Sequence, residues 1–198
     1  MLRVTNAEES IVLIVFSGLY YDLRMTAYFY CMLTVQQLVT LYNMQPHPEG
    51  GYYKETYRSA ESINQTALPK RFLGDRSFST AIYFLLEQGN FSAFHKIRSD
   101  ECWHFYAGET LEVYVIHYNG KLEVVKLGND ISMGENFQYV VPAECWFASR
   151  PAKDTDFCFV GCTVSPGFNF VDFELAKADE LVGAYPEHER VIRSLCRQ

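Results

Sequence analysis

The sequence lacks the short signatures that mark several enzyme classes. Its six cysteines include no Cys-x-x-Cys pair, so neither a zinc ribbon nor a thioredoxin-type redox motif is indicated. It has no Gly-x-Ser-x-Gly elbow and no glycine-rich phosphate loop ahead of a helix, which argues against a serine hydrolase and a P-loop nucleotidase. We expect the cysteines to be reduced, buried thiols in the cytosol.

Long hydrophobic runs and an excess of positive charge are missing as well. The most apolar stretch, Ile11 to Phe16, falls well short of the ~20 residues that a membrane helix needs. Glu8 and Glu9 beside Arg3 give the wrong sign for a signal peptide. The net charge of −7 repels phosphate backbones. We therefore expect a cytoplasmic protein with neither a membrane nor a nucleic-acid partner.

The composition is that of an ordered globular protein. With 198 residues, the chain is long enough for one domain with a substantial core. Its 48% hydrophobic and 16% aromatic content, with frequent β-branched runs, favours β-structure. We divide it into an N-terminal extension at residues 1–33, expected to add a strand or to contact a partner subunit, and one domain at residues 34–198.

The most informative stretch runs from Gly89 to Gly108, where two predicted strands flank a polar turn. Strand alternation places His95 on the same face as Ile97, and Glu101 on the same face as Trp103. Burying an imidazole or a carboxyl group without a partner costs about 1–3 kcal/mol or more. We therefore expect each of them to meet the other, a water, a metal or a ligand.

The spacing of Gly89, His95, Glu101 and Gly108 resembles the first motif of the cupin superfamily. The similarity extends to three further stretches: His47-Pro48-Glu49-Gly50-Gly51 and the residues to Ser59, Val141-Pro142-Ala143 ahead of Trp146-Phe147, and Val160 to Phe168. Together they resemble a single-domain cupin family of unassigned function that is grouped with the dTDP-sugar epimerase-like cupins. The resemblance implies an all-β, double-stranded β-helix (jelly-roll-like) barrel with a few flanking helices. It also implies a homodimer.

The sequence departs from metal-binding cupins at two positions. Those proteins carry histidines where this chain has Ile97 and Phe147, so only His95 and Glu101 remain of four ligands. Zinc and iron sites normally need three or more protein ligands. We predict no metal ion and no other cofactor.

We predict that the barrel binds a small molecule, and the grouping implies a nucleoside diphosphate or a nucleotide-sugar-like ligand. Trp103 or Phe147 would stack on a base or sugar, and Lys54 or Arg76, from a stretch with a local excess of positive charge, would meet phosphate. The predicted lining comprises these four residues with Ser79, His95, Glu101 and Gln138.

An epimerase or isomerase acting on a sugar nucleotide is the first alternative. Inverting a carbon next to a carbonyl group requires a base and an opposed acid. His95 oriented by Glu101 would be the base. The sequence offers Tyr53, Tyr83 and Tyr106 as the acid and does not choose among them.

A metal-dependent cupin oxygenase or isomerase is the second alternative. It would need His104, His117 or Gln138 to replace the missing ligands. The residues around Asn119-Gly120 predict a hairpin with a two-residue type I′ turn, which sets His117 opposite Leu122.

Overall fold

A computed structural model describes residues 33–197, together with the backbone of two short antiparallel strands, β1 (Val15–Phe16) and β2 (Leu19–Tyr20). The chain divides into two units, Met1–Thr34 and Val35–Gln198, and the second unit forms the β-barrel. Apart from that hairpin backbone, the segment predicted to add a strand or contact a partner lies outside the described residues.

Strands make up most of the second unit. They are β3 (Gln45–Pro46), β4 (Tyr52–Arg58), β5 (Ser62–Ile63), β6 (Arg76–Ser77), β7 (Thr80–Glu87), β8 (Ser92–Lys96), β9 (Asp100–Gly108), β10 (Leu111–Ile116), β11 (Leu122–Leu127), β12 (Gln138–Val141), β13 (Trp146–Pro151), β14 (Phe157–Ser165) and β15 (Glu174–Leu175).

The helices are short and flank the strands. They are α1 (Val35–Tyr42), α2 (Ala178–Ala184) and α3 (Glu189–Ser194), with 3₁₀ turns at Gln65–Ala67, Ile131–Met133, Phe170–Asp172 and Pro186–His188. Within residues 33–197, no helix has both the length and the apolar character of a membrane span.

Apart from β5 and β6, which pair with each other, these strands form two antiparallel sheets that face each other. One has six strands in the order β12-β9-β14-β7-β4-β3, and the other has five in the order β11-β10-β13-β8-β15. Buried side chains from both sheets pack into one core cluster. This is the double-stranded β-helix with a few flanking helices that the sequence predicts.

Strand alternation explains how β10 serves two cores. Val113 and Val115 point between the sheets and are fully buried there. Ile116 points to the opposite face, where it packs in a second cluster with Leu181 of α2 and Ile192 of α3. The helices cover a sheet face that would otherwise be an exposed apolar surface. Burying each aliphatic side chain there stabilises the fold by about 1.5–3 kcal/mol.

The β10–β11 hairpin forms, but the prediction for its turn is wrong. Leu122 pairs with Ile116 rather than with His117. The His117 amide donates to the Lys121 carbonyl oxygen at 3.0 Å, so the loop has three residues. It ends at Gly120, whose φ of 81° lies in the region that favours glycine. A glycine there accommodates a longer loop as well as a type I′ turn, and the sequence alone does not distinguish the two.

Candidate functional site

A cavity of about 190 Å³ lies between the two sheets. Its walls combine polar and aromatic side chains: His47, Glu49, His95, Glu101 and Cys162 are polar or titratable, and Tyr53, Phe84, Phe168, Phe170 and Phe173 are aromatic. Glu55 and Arg58 of β4 also border it. We call the group His47, Glu49, His95 and Glu101 the polar floor.

The turn between β3 and β4 brings the first two floor residues into the cavity. Gly50 and Gly51 have φ values of 122° and 72°, which side chains rarely adopt. A Cβ on Gly51 would also meet the carbonyl oxygen of Leu85, so the turn packs directly on the sheet. This close approach buries Glu49, which is only 6% exposed, and sets His47 beside it.

Glu49 is the centre of the floor's hydrogen-bond network. Its Oε2 lies 3.1 Å from His95 Nε2 and 3.5 Å from His47 Nδ1. Its Oε1 accepts a hydrogen bond from the Ser92 hydroxyl at 2.9 Å. The other ring nitrogen of His95, Nδ1, donates to the carbonyl oxygen of Ala93 at 2.7 Å. Both nitrogens of His95 therefore have protein partners.

Burial favours the uncharged form of every group in the floor. It lowers the pKa of His95 to about 3 and that of His47 to about 4. It raises the pKa of Glu101 to about 7 and that of Glu49 well above its ordinary value. At neutral pH the floor therefore holds neutral imidazoles beside carboxyl groups that retain protons easily.

The predicted pairing of His95 with Glu101 is wrong. Both side chains line the cavity, but they belong to different sheets, His95 to β8 and Glu101 to β9. The Glu101 carboxyl hydrogen-bonds with the thiol of Cys162, while the His95 ring contacts Glu49. A sequence spacing of six residues places both groups in the interior without bringing them together.

The two basic residues expected to meet phosphate are not directed at the cavity. Arg76 is 4% exposed, and its Nε and Nη2 each donate to the Asp172 carboxylate at 2.6 Å. Lys54 borders the cavity, but it pairs with Tyr83 across the sheet, so its side chain points to the outer face. The basic residue at the cavity rim is Arg58.

The remaining predicted ligand contacts lie outside the cavity lining. Trp103 and Phe147 are each 1% exposed and fill the core between the sheets, although the Phe147 ring packs against His95 with centroids 4.0 Å apart. The Ser79 hydroxyl donates to the Val164 carbonyl oxygen at 3.1 Å. Gln138 is exposed and lies on the edge strand β12.

The structure distinguishes the three tyrosines. Tyr53 points inward and lines the cavity. Tyr83 and Tyr106 lie on the outer face of the six-stranded sheet, where both pack against Phe159. Of the three candidates for an acid, only Tyr53 is therefore placed to reach a ligand in the cavity.

The residues suggested as substitute metal ligands are dispersed. His104 lies on the outer face, where Nε2 contacts the Thr163 hydroxyl at 3.0 Å and Nδ1 contacts the Gln138 amide at 2.8 Å. His117 contacts Glu123 at 2.7 Å beyond the end of its hairpin strand. Within the described part of the chain, no group of three or more His, Cys, Asp and Glu side chains is arranged to hold a metal ion.

His47 and Glu49 of the polar floor are site residues that the sequence analysis missed, as it missed Arg58, Cys162, Phe168, Phe170 and Phe173 of the cavity lining. Paired glycines after a proline favour a turn, and the Gly50 amide donates to the His47 carbonyl oxygen at 3.0 Å. The sequence signal that could have identified His47 and Glu49 is their position directly before Gly50 and Gly51, at the start of β4. Such glycines allow a close backbone approach, which carries neighbouring side chains into the interior.

Two facing antiparallel sheets that enclose a polar-floored cavity define a cupin-type barrel. The sequence profile of the family described as "Cupin superfamily (DUF985)" matches residues 36–176. The chain belongs to this cupin family.

Three relatives match most of the chain. The chain is 30% identical over 156 residues to the uncharacterized protein YML079W of Saccharomyces cerevisiae, which covers 74% of this chain and 77% of that protein. Protein SO0799 of Shewanella oneidensis is 38% identical with a TM-score of 0.75, covering 84% and 99% of the two chains. A hypothetical protein of Leishmania major is 33% identical with a TM-score of 0.77, covering 84% and 100%.

Proposed function

We propose that this cupin binds a small organic ligand in the barrel cavity without a metal ion, and that the ligand is a nucleoside diphosphate or nucleotide-sugar-like molecule. In the proposed complex with a nucleotide sugar, the sugar ring occupies the cavity and the diphosphate lies at the rim. The observation that carries this proposal is the polar floor together with the aromatic wall of the cavity, which consists of Tyr53, Phe84, Phe168, Phe170 and Phe173. Concave sites with apolar walls and a few fixed polar groups are the usual form of small-ligand sites.

The size and lining of the cavity suit one ring. Its volume of about 190 Å³ is smaller than the ~300–1,000 Å³ of pockets that enclose a drug-sized ligand. Phe168, Phe170 and Phe173 offer aromatic surface for the C–H groups of a sugar. The floor offers hydrogen-bonding atoms for its hydroxyl groups. The rest of a nucleotide sugar would therefore extend out of the barrel.

The rim offers one guanidinium group for an anion. Arg58 donates to Glu55 from Nε at 3.1 Å and from Nη2 at 2.6 Å, and from Nη1 to the Phe168 carbonyl oxygen at 3.0 Å. The Arg58 side chain is 42% exposed, so its ion pair is accessible to solvent and easily exchanged. A phosphate group would replace Glu55 as the partner of this guanidinium.

A thermal-shift screen tests the proposal. It compares nucleoside diphosphates, free sugars, nucleotide sugars and divalent metal salts, with the organic ligands assayed in the presence of a chelator. We expect nucleotide sugars to raise Tm most, and Arg58→Gln to reduce the shift for phosphate-bearing ligands. The matched control is Arg193→Gln, because Arg193 also pairs with surface carboxylates but lies on α3. Stabilisation by metal salts alone would contradict the proposal.

Epimerase chemistry is the second candidate, and the position of Tyr53 favours it. Proton transfer at a carbon next to a carbonyl group needs two opposed groups, and the cavity holds Tyr53 on β4 together with the His95–Glu49 pair. A dehydro-sugar nucleotide incubated in D₂O would acquire deuterium. Tyr53→Phe, which keeps the ring, would abolish this incorporation. Binding without any incorporation would leave the protein a binding module.

We also propose that the protein is a homodimer that pairs along β12. This strand is an edge of the six-stranded sheet, and edge strands offer unpaired main-chain groups. Phe137, Val140 and the neighbouring Tyr106 are 52%, 48% and 50% exposed. Light scattering coupled to size exclusion should give twice the chain mass for the wild type and the chain mass for Val140→Lys. A monomeric wild type would refute the pairing.

A further inference from the structure

Oε2 of Glu49 lies close to one ring nitrogen of each histidine in the floor. His95 Nδ1 contacts the carbonyl oxygen of Ala93 at 2.7 Å, and a carbonyl oxygen only accepts hydrogen bonds. Nδ1 therefore carries hydrogen. If the ring is neutral, Nε2 carries none and presents a lone pair to Glu49 Oε2 at 3.1 Å.

His47 repeats the pattern from the other side. Its Nδ1 accepts a hydrogen bond from the Glu49 amide at 3.4 Å, so in the neutral ring that nitrogen carries no hydrogen. The same Nδ1 lies 3.5 Å from Glu49 Oε2. The lone pair of His47 Nδ1 is thus engaged by the Glu49 amide, and this nitrogen brings no hydrogen to Oε2. With both rings neutral, neither nitrogen supplies the hydrogen of the 3.1 Å contact between Oε2 and His95 Nε2, so Oε2 supplies it.

We propose that Glu49 is a protonated carboxylic acid in the ligand-free protein, that its hydroxyl donates to His95 Nε2, and that Glu49 is thereby the group of the cavity that exchanges a proton with a ligand, with His95 as its positioning residue. The other oxygen fits this assignment, because Oε1 accepts from the Ser92 hydroxyl at 2.9 Å, as a carbonyl oxygen does. The geometry assigns the donor role to Oε2 and the acceptor role to Oε1.

The surroundings of Glu49 favour the same state. Burial, and next the nearby Glu101, raise the pKa of Glu49, while the Ser92 hydroxyl and Arg197 act in the opposite direction. Burial also lowers the pKa of His95, so a carboxylate–imidazolium pair is disfavoured on both sides. The 3.1 Å contact is therefore a hydrogen bond between neutral groups.

This assignment changes which side chain can act on a ligand. Both ring nitrogens of His95 are engaged by the protein, whereas the Glu49 carboxyl lines the cavity. Moving the proton from Oε2 to Nε2 leaves a carboxylate beside an imidazolium without changing the net charge. That carboxylate is able to accept a proton from a ligand. This use of Glu49 rests on the proposed function, but its protonation state in the free protein does not.

Nitrogen NMR of the histidine rings in the ligand-free protein tests the proposal. At neutral pH we expect His95 to be neutral with its hydrogen on Nδ1. Glu49→Gln should leave that tautomer unchanged, because the amide of glutamine also donates to Nε2. His117 supplies reference signals from a partly exposed ring in contact with a carboxylate. An imidazolium at His95, or a neutral ring with hydrogen on Nε2, overturns the proposal.

The two proposals fail separately. If the His95 ring has the expected tautomer and no nucleotide sugar binds, the proposed function is wrong and the assignment of the Glu49 proton stands. If a nucleotide sugar binds and His95 is an imidazolium, the assignment is wrong and the proposed function stands.

Discussion

Arg197 donates a hydrogen bond from Nε to the main-chain oxygen of Glu49 at 3.1 Å, across 148 residues of sequence. Its Nη2 donates to the Asn90 side chain at 3.0 Å and to the Phe91 carbonyl oxygen at 2.9 Å. A Cβ on Gly50 would meet this guanidinium, so the absence of a side chain there makes room for it. The residues after α3 thus fasten the turn that carries two floor residues.

Arg197→Ala should loosen this turn. Hydrogen bonds to a charged group contribute about 1.5–3 kcal/mol, and we expect the free energy of unfolding to fall by about that amount. The NMR signals of His95 should shift as well, because its partner Glu49 loses support. Urea denaturation and ring-nitrogen spectra measure the two effects. Arg193→Ala, the control on α3, should leave the His95 signals in place. Unchanged His95 signals in Arg197→Ala would show that the contact does not position Glu49.

The Arg76–Asp172 pair should be a major source of stability. Both side chains are 3% exposed, and two hydrogen bonds of 2.6 Å join them. Removing one member leaves a buried charge without its partner, which costs about 3–5 kcal/mol. We therefore expect Asp172→Asn to lower the free energy of unfolding by roughly that amount in urea denaturation.

The Glu55–Arg58 pair provides the comparison for Asp172→Asn. Its side chains are 43% and 42% exposed, so Glu55→Gln should cost far less. Equal losses for Asp172→Asn and Glu55→Gln would mean that burial does not govern the strength of these pairs.

The stability of the protein should depend on pH through Glu101. Its pKa is raised to about 7 by burial, whereas in the unfolded chain it titrates near 4.5. Between these values the folded state keeps a proton that the unfolded state has lost. The stabilising contribution is therefore full below pH 4.5 and is lost as the pH rises through 7, a change of about 3 kcal/mol. Between about pH 5 and pH 8, urea denaturation should show a larger loss of stability in the wild type than in Glu101→Gln, because the contributions of Glu49, His47 and His95 are common to both proteins. The same pH dependence in both proteins would exclude Glu101 as its source.

The floor should discriminate between neutral and anionic rings. The floor holds buried carboxyl groups, and the Arg58 guanidinium lies at the rim of the cavity. A carboxylate on the sugar would therefore be buried without a cation. We expect a nucleotide uronic acid to bind about tenfold or more weakly than the corresponding nucleotide sugar, a difference of about 1.4 kcal/mol. Isothermal titration measures both affinities. Equal or tighter binding of the uronic acid would refute a neutral floor.

The fold could be predicted from the sequence because the patterns that indicate it are local. The alternation around His95 and Glu101 predicts that both side chains are directed inward, and both line the cavity. The same alternation does not say how deep a side chain lies. Trp103 and Phe147 were therefore predicted to contact a ligand, but they fill the core instead.

The site was less accessible because its contacts join distant parts of the chain. The positive charge of Arg76 is compensated by Asp172, 96 residues away, and local charge counting does not detect that partner. The burial of Glu49 depends on Ser92 and on Arg197. Local patterns give the conformation of the Gly50-Gly51 turn, whereas the chemistry of its neighbours depends on packing across the barrel.

A crystal structure of the protein with a bound nucleotide sugar tests the central claim most directly. We predict the sugar ring in the cavity, within hydrogen-bond distance of Glu49 and against the Phe173 side of the wall, with the diphosphate near Arg58. A ring bound outside the barrel, or a metal ion coordinated by His95 and Glu49 in its place, would contradict the account.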